Sequence, residues 1–293
     1  MSEGLLRFPD VVDLDGFGEY LALKAAGRII VTDYPVKSRP RDFRANGAAA
    51  RFEAIFDKFD SNTRRALSAM QVNAEALARI PFDQPKCRRS PYWSNGFIPP
   101  LDGLSLYAMV SMNRPRLYVE VGSGNSTKFV RRAIEDLGLS TRIVSIDPHP
   151  RAEIDALCDE VIRQPMEDVA PEVFGRLGRD DMLFVDNSHM ACAGSDVAVF
   201  FTEVLPALAS GVVYGLHDMP LPLDYDERMA PRGYNEHYLM AAYLLGGAAG
   251  DHVAFPSAHV AWREDLCGLA PFPEHPGMLA EGRHGGALWM RKA

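Results

Sequence analysis

The chain has 293 residues, enough for one large α/β domain with an added segment or for two small domains, and its 47% hydrophobic and 24% charged content suits a globular protein with a real core. A formal net charge of −8 argues against a general nucleic-acid or anionic-membrane binder and leaves only a local basic patch as a route to either. The four cysteines, Cys87, Cys158, Cys192 and Cys267, are scattered without a Cys-x-x-Cys pair and indicate neither a disulfide framework nor a zinc knuckle.

The first residues carry acids (Glu3, Asp10, Asp13, Asp15) and no apolar signal core, and no apolar run approaches membrane-spanning length. A cytoplasmic protein with no membrane partner is expected. Gly27 to Asp33 reads as one strand, and Tyr34 to Asn46 as a loop. Ala48–Phe59 and Asn62–Ile80 read as helices. In the second, Leu67, Met70, Ala74 and Leu77 share a face, with Ser61 or Asn62 as the cap. Such a stripe is first of all core packing; a substrate lid or a homo-oligomer contact is the alternative role. Pro81 to Pro100 is a proline-punctuated connector. Its aromatic cluster, Tyr92 to Phe97, either floors a substrate pocket or seals a seam. Asp102 then caps a helix through Leu104, Tyr107, Ala108 and Val110. The expected division is an N-terminal, mainly helical or irregular segment over 1–100 and a ligand-binding domain over 101–293.

From Arg116 strands and helices alternate. Strands are expected at Leu117–Val121, Arg142–Ile146, Glu160–Arg163, Met182–Val185 and Gly211–Leu216, then near His252–Phe255 and at Gly286–Arg291. Helices are expected at Ser126–Leu137, Arg151–Leu157, Pro171–Leu177, Gly194–Leu208 and Asn235–Leu245. This alternation means a mostly parallel sheet with helices on both faces.

The chain is organised around Arg116 to Thr127, where an apolar strand breaks on Gly122 and Gly124 and feeds a helix. Glycines let a ligand approach the backbone, and the helix start offers unpaired N–H groups. A dinucleotide fingerprint needs a small residue where Thr127 stands, and a phosphate loop needs Gly-Lys-Ser/Thr, which Lys128 does not supply. S-adenosylmethionine (SAM) has no phosphate; it needs bare backbone near its methionine part and carboxylates for its amine and ribose. Glu120 and Asp147 are such carboxylates.

Glu120-Val-Gly-Ser-Gly-Asn-Ser-Thr127 resembles motif I of the class I SAM-dependent methyltransferases, and the similarity runs from about Tyr92 to Arg291. It implies a Rossmann-like sheet behind the N-terminal helical segment, with Glu120, Gly122, Ser123, Gly124, Ser126 and Thr127 around the cofactor. Asp147, about 20 residues beyond the turn, is placed to accept the ribose hydroxyls, a role the resemblance shares. Met166 and Glu167, in Gln164 to Asp168, are the candidates beside adenine.

Asp186-Asn-Ser-His189 follows the fourth strand and His217-Asp218 the fifth, which brings two carboxylates and two imidazoles toward one cavity. A neutral imidazole suits removal of a hydroxyl proton, and a divalent cation would acidify and orient that hydroxyl. The pattern is similar to metal-dependent O-methyltransferases that modify sugar hydroxyls of natural products. The resemblance assigns Asp186 and Asp218 as ligands of Mg2+ or another divalent metal, and His189 as the base. Asp186 also counts among the cofactor-side residues. His217 stands where that family has an acid, which makes it a further candidate ligand and catalytic residue and opens the site to a softer metal, or to none. Asn235 is expected to cap the next helix or to complete the site, and Pro220 to Pro231 is long enough for a lid. The expected acceptor is a small hydroxylated molecule. A nicotinamide-dependent oxidoreductase, disfavoured by Thr127, and a non-catalytic SAM-retaining scaffold, disfavoured by the His-Asp clusters, are the rival readings.

Overall fold

The computed structural model describes residues 17–25, 29, 34, 38–150 and 152–293. Residues 1–38 form one unit, whose described part is chiefly the helix Phe17–Ala25, and residues 39–293 form a second. The strand expected at Gly27 to Asp33 lies almost wholly outside the described residues. Among the described residues, no helix is long and apolar enough to cross a membrane.

The second unit is built on a seven-stranded sheet: β1 Leu117–Val121, β2 Arg142–Ile146, β3 Glu160–Ile162, β4 Met182–Val185, β5 Val213–Leu216, β6 His252–Pro256 and β7 Leu288–Arg291. The spatial order is β3-β2-β1-β4-β5-β7-β6. β1 to β5 are parallel, and β7 enters antiparallel between β5 and β6. This is the mostly parallel, Rossmann-like sheet with helices on both faces that the alternation of strands and helices leads one to expect. β1 is buried along its whole length, as a central parallel strand requires.

Two apolar layers cover the sheet. On one face, Leu67 and Met70 of helix Asp60–Val72, the apolar length of helix Pro100–Asn113, and Phe129 and Val130 of helix Asn125–Asp136 pack with Tyr118, Phe184 and Trp289. On the other, Phe52 and Phe56 of helix Ala48–Asp57, Phe200 and Leu205, and Met240 and Leu244 of helix Glu236–Leu245 pack with Val119, Val121 and Leu183. Burying each such side chain contributes roughly 1.5–3 kcal/mol, so the 48–72 helices belong to the core itself.

Several elements differ in detail from the sequence pattern. The helical stretch 62–80 is two helices, Asp60–Val72 and Ala74–Ala78, broken at Asn73, whose amide donates to Ala69 O and Ser111 Oγ. The 194–208 helix starts at Asp196 with Ser195 as its cap, and Phe200–Val204 form a π-helical turn. Asp102 does not cap its helix. It lies in the first turn, fully buried, and its carboxylate accepts Gly286 N at 2.7 Å and Ala287 N at 3.0 Å. A carboxylate that receives two backbone N–H groups from a distant segment is a tertiary clasp, which local pattern does not reveal.

Candidate active site

The carboxyl ends of β2, β1, β4 and β5 lie side by side, so Asp147, Gly122, Asp186 and His217 leave the sheet along one edge. The chain winds outward from β1 in one direction and from β4 in the other, and crevices form at such a switch point. Here the crevice is a cavity of 680 Å³.

Gly122 is held at φ 76°, and a Cβ there would stand 1.7 Å from the carbonyl oxygen of Asp186. Only glycine allows β1 and β4 to exit this close together. Gly124, with extended backbone, has open space where a side chain would go, and the turn from Gly122 to Ser126 lines the cavity. Ser123 Oγ is buried without a hydrogen-bond partner on that wall. A bare backbone with an orphaned hydroxyl is a cradle that fits the amino-acid part of a ligand such as SAM.

Asp147 also lines the cavity; one oxygen accepts His149 N at 2.7 Å and the carboxylate remains partly exposed. Met166 and Glu167 stand on the wall beyond β3. Two expected cofactor residues do not reach the cavity wall. Glu120 is fully buried behind the turn, where its carboxylate accepts the Tyr118 hydroxyl at 2.9 Å and the Thr127 hydroxyl. Thr127 in turn accepts Gly124 N at 3.0 Å. Side chains alternate along a strand, so Glu120 shares the face of Tyr118 and points under helix Asn125–Asp136. Burial raises its pKa to about 7, although hydrogen bonds from Thr127, Ser126 and Tyr118 pull the other way. Glu120 and Thr127 thus hold the turn in shape. Of the aromatic connector, Gly96, Phe97 and Ile98 line the cavity. Trp93 instead packs 5.2 Å from the Phe129 ring, with its indole N–H donating to Ile80 O.

Further along the same edge of the sheet, His189 sits among carboxylates. Its Nε2 lies 3.2 Å from Asp186 Oδ1 and 3.5 Å from Asp218 Oδ2, and its Nδ1 lies 3.0 Å from Glu236 Oε2. The residue is 3% exposed, and at its φ of 59° its N–H donates to Asn187 Oδ1 at 2.9 Å. Burial opposes a charge on the ring, but the hydrogen bonds and charges of Asp186 and Glu236 outweigh it and raise the pKa to about 10. His217 Nδ1 faces Asp186 Oδ1 at 3.4 Å and Asp218 Oδ1 at 3.6 Å. Its Nε2 is buried 3.3 Å from Asp102 Oδ2, off the line of a formed hydrogen bond. Burial opposes this charge too, and the carboxylates override it, so the pKa is raised well above the ordinary histidine value. Burial alone would raise Asp186, but the two imidazoles hold it below the usual carboxylate range.

One donor atom each from Asp186, His217 and Asp218 fits within 4.8 Å, a set that suits a divalent cation. The same negative field that keeps protons on the imidazoles would draw such an ion in.

Sequence reasoning missed Glu236. It is fully buried, holds His189 Nδ1, and accepts Asn187 Nδ2 at 3.1 Å. Asn235, read as a cap or site residue, makes no side-chain cap and instead accepts Ala191 N, while its own N–H donates to His189 O at 2.9 Å. An acid next to the expected cap was the only signal for Glu236, and first-turn acids are common for dipole reasons alone. Asp196 was also missed; it takes the Ser188 N–H and hydroxyl at 2.8 and 2.5 Å and lines the cavity. From the 219–235 loop, Arg228, Met229, Arg232 and Tyr234 complete the wall.

Residues 119–219 match a family model described as a methyltransferase domain. No curated protein matches the chain. Solved structures that it resembles include the SAH-bound methyltransferase PaMTH1 of Podospora anserina, 14% identical over 90% of this chain and 100% of that one, with a TM-score of 0.39. The MycE methyltransferase of the mycinamycin biosynthetic pathway, in complex with Mg and SAH, is 16% identical over 62% of this chain and 46% of that one, TM-score 0.34. The branched-chain polyamine synthase of Thermus thermophilus is 13% identical over 74% of this chain and 65% of that one, TM-score 0.39. These likenesses are too distant to bear on the reaction.

Proposed function

We propose that this protein is a SAM-dependent methyltransferase that methylates a hydroxyl of a small metabolite or sugar, with His189 as general base and a divalent cation at Asp186, Asp218 and His217. The observation that carries this reading is that one cavity is lined by the open glycine turn, by Asp147 and by His189 with Asp186 and Asp218. The methyltransferase-domain match over 119–219 includes all of these residues.

The backbone of Gly122 to Gly124 and the Ser123 hydroxyl receive the amino-acid part of the cofactor, Asp147 accepts its ribose hydroxyls, and Met166 and Glu167 flank its base. SAM supplies an electrophilic methyl on a sulfonium. Glu236 fixes the ring of His189 so that Nε2 faces the acceptor side. A ring with a pKa of about 10 holds its proton at neutral pH. A cation held by Asp186 and Asp218 would offset their charge, and the ring could then release its proton and serve as a base. The cation would also acidify an acceptor hydroxyl bound beside it. Phe97, Arg232 and Tyr234 close the acceptor side.

The test is methyl transfer from labelled SAM to a panel of hydroxylated metabolites and sugars. Label on an acceptor oxygen, with turnover in His189→Ala falling by roughly 100-fold or more while SAM affinity holds, is the expected result. Full turnover by that variant would remove His189 as the base, and label on nitrogen or carbon would overturn the acceptor class.

A further inference from the structure

We infer that His217, positioned by Asp102, is a nitrogen ligand that makes this centre select a borderline transition ion, such as Mn2+ or Zn2+, over magnesium. The inference rests on the cation site proposed above and concerns which ion fills it.

The ring of His217 presents its two nitrogens to different surroundings. Nδ1 faces the two carboxylates of the cavity at 3.4 and 3.6 Å, and Nε2 is buried toward Asp102 Oδ2 at 3.3 Å. Asp102 cannot follow a moving ring, because Gly286 N and Ala287 N hold its two oxygens. It sits on a helix whose first turn is buried, and His217 itself is 4% exposed. A carboxylate behind one imidazole nitrogen favours the tautomer with its proton there and leaves the other nitrogen's lone pair for a metal; such an arrangement is the usual outer shell of a metal-bound histidine. Nε2 with no completed partner is the buried group that this reading explains: a small rotation of the ring, as Nδ1 takes up a ligand, brings it onto Asp102.

The donor set is therefore two carboxylates and one imidazole. Magnesium prefers oxygen and keeps its water, whereas imidazole suits Zn, Fe, Co and Ni, with Mn tolerant of both. Every oxygen site also ranks zinc above magnesium, so the mark of His217 is the change in that ranking when its nitrogen is replaced by oxygen.

The experiment uses the metal-stripped full chain with Mn2+, Zn2+ or Mg2+ alone. Pulsed electron paramagnetic resonance of the Mn2+-loaded protein should show an imidazole 14N coupling that vanishes in His217→Glu. Calorimetry should show the Zn2+-to-Mg2+ affinity ratio falling by about 10- to 100-fold in that variant. Mn2+ bound without nitrogen coupling in the unaltered protein, which needs no variant, overturns the inference while the cation site stands. Coupling that persists in His217→Glu overturns it as well, because the nitrogen is then another residue's. Absence of binding by any of the three ions at millimolar concentration overturns the cation site and this inference together, and leaves the SAM reading untouched.

Discussion

Glu236 Oε2 lies 3.0 Å from His189 Nδ1, and this contact leaves Nε2 as the ring nitrogen that faces Asp186 and Asp218. The acid is fully buried 47 residues away on another element, so its carboxylate has no water to turn to. Burial raises the pKa of Glu236, and its bonds to His189 and Asn187 counter that rise. Glu236→Gln keeps the shape but removes a negative neighbour. The His189 pKa, followed by NMR titration, should fall by about 1–2 units in the variant. An unmoved value would mean that Asp186 alone sets the ring's charge.

The two glycines of the turn should fail differently. Gly122→Ala places a methyl against the Asp186 carbonyl at a strained φ and should destabilise the fold by about 2 kcal/mol or more, seen in urea unfolding. Gly124→Val meets only open space and extended backbone. It should fold with near-normal stability but lose SAM affinity by about 10-fold or more, because the side chain occupies the cradle. Normal SAM binding by a folded Gly124→Val protein would remove the turn from the site.

Glu120 predicts a pH signature. Its folded pKa, about 7, lies above the ordinary 4.5, so the folded state binds the proton more tightly than the unfolded chain. The stabilisation is fully present below pH 4.5 and is lost as pH rises toward 7 and beyond. Between pH 5 and 8 the unaltered protein should lose about 2–3 kcal/mol relative to Glu120→Gln. Denaturant curves at the two pH values check this, and parallel losses in both proteins would contradict it.

Asp102→Ala would leave Gly286 N and Ala287 N, near the sheet's last strand, without their acceptor. A cost of about 2–4 kcal/mol in unfolding free energy is expected, from the penalty of unsatisfied buried donors. A loss under 1 kcal/mol (roughly the worth of one surface hydrogen bond) would show that these N–H groups find another partner.

The sheet was legible because its signals are local. β1, β2 and β4 are short apolar runs that end on Gly122, Asp147 and Asp186, and β5 ends on the pair His217-Asp218. β6 and β7 were also readable as strands, but not the insertion of Leu288–Arg291 between β5 and β6, since pairing order depends on the path of the chain. The cavity lining was legible where a side chain leaves the end of its own strand, as with Asp147, Asp186, His189, His217 and Asp218. The contacts behind it were not legible where a residue acts across the fold: Asp102 looked like a helix cap, and Glu236 was overshadowed by Asn235. Glu120 shows a third limit. Its place beside the turn was plain, but strand alternation sends its side chain behind the turn rather than into the cavity.

The most direct measurement is isothermal calorimetry of the purified protein with SAM, beside the Asp147→Ala variant. Saturable one-site binding is expected, weakened roughly 10- to 100-fold by the substitution, as the loss of two ribose hydrogen bonds would give. No binding of SAM, or equal affinity in the variant, would contradict the account.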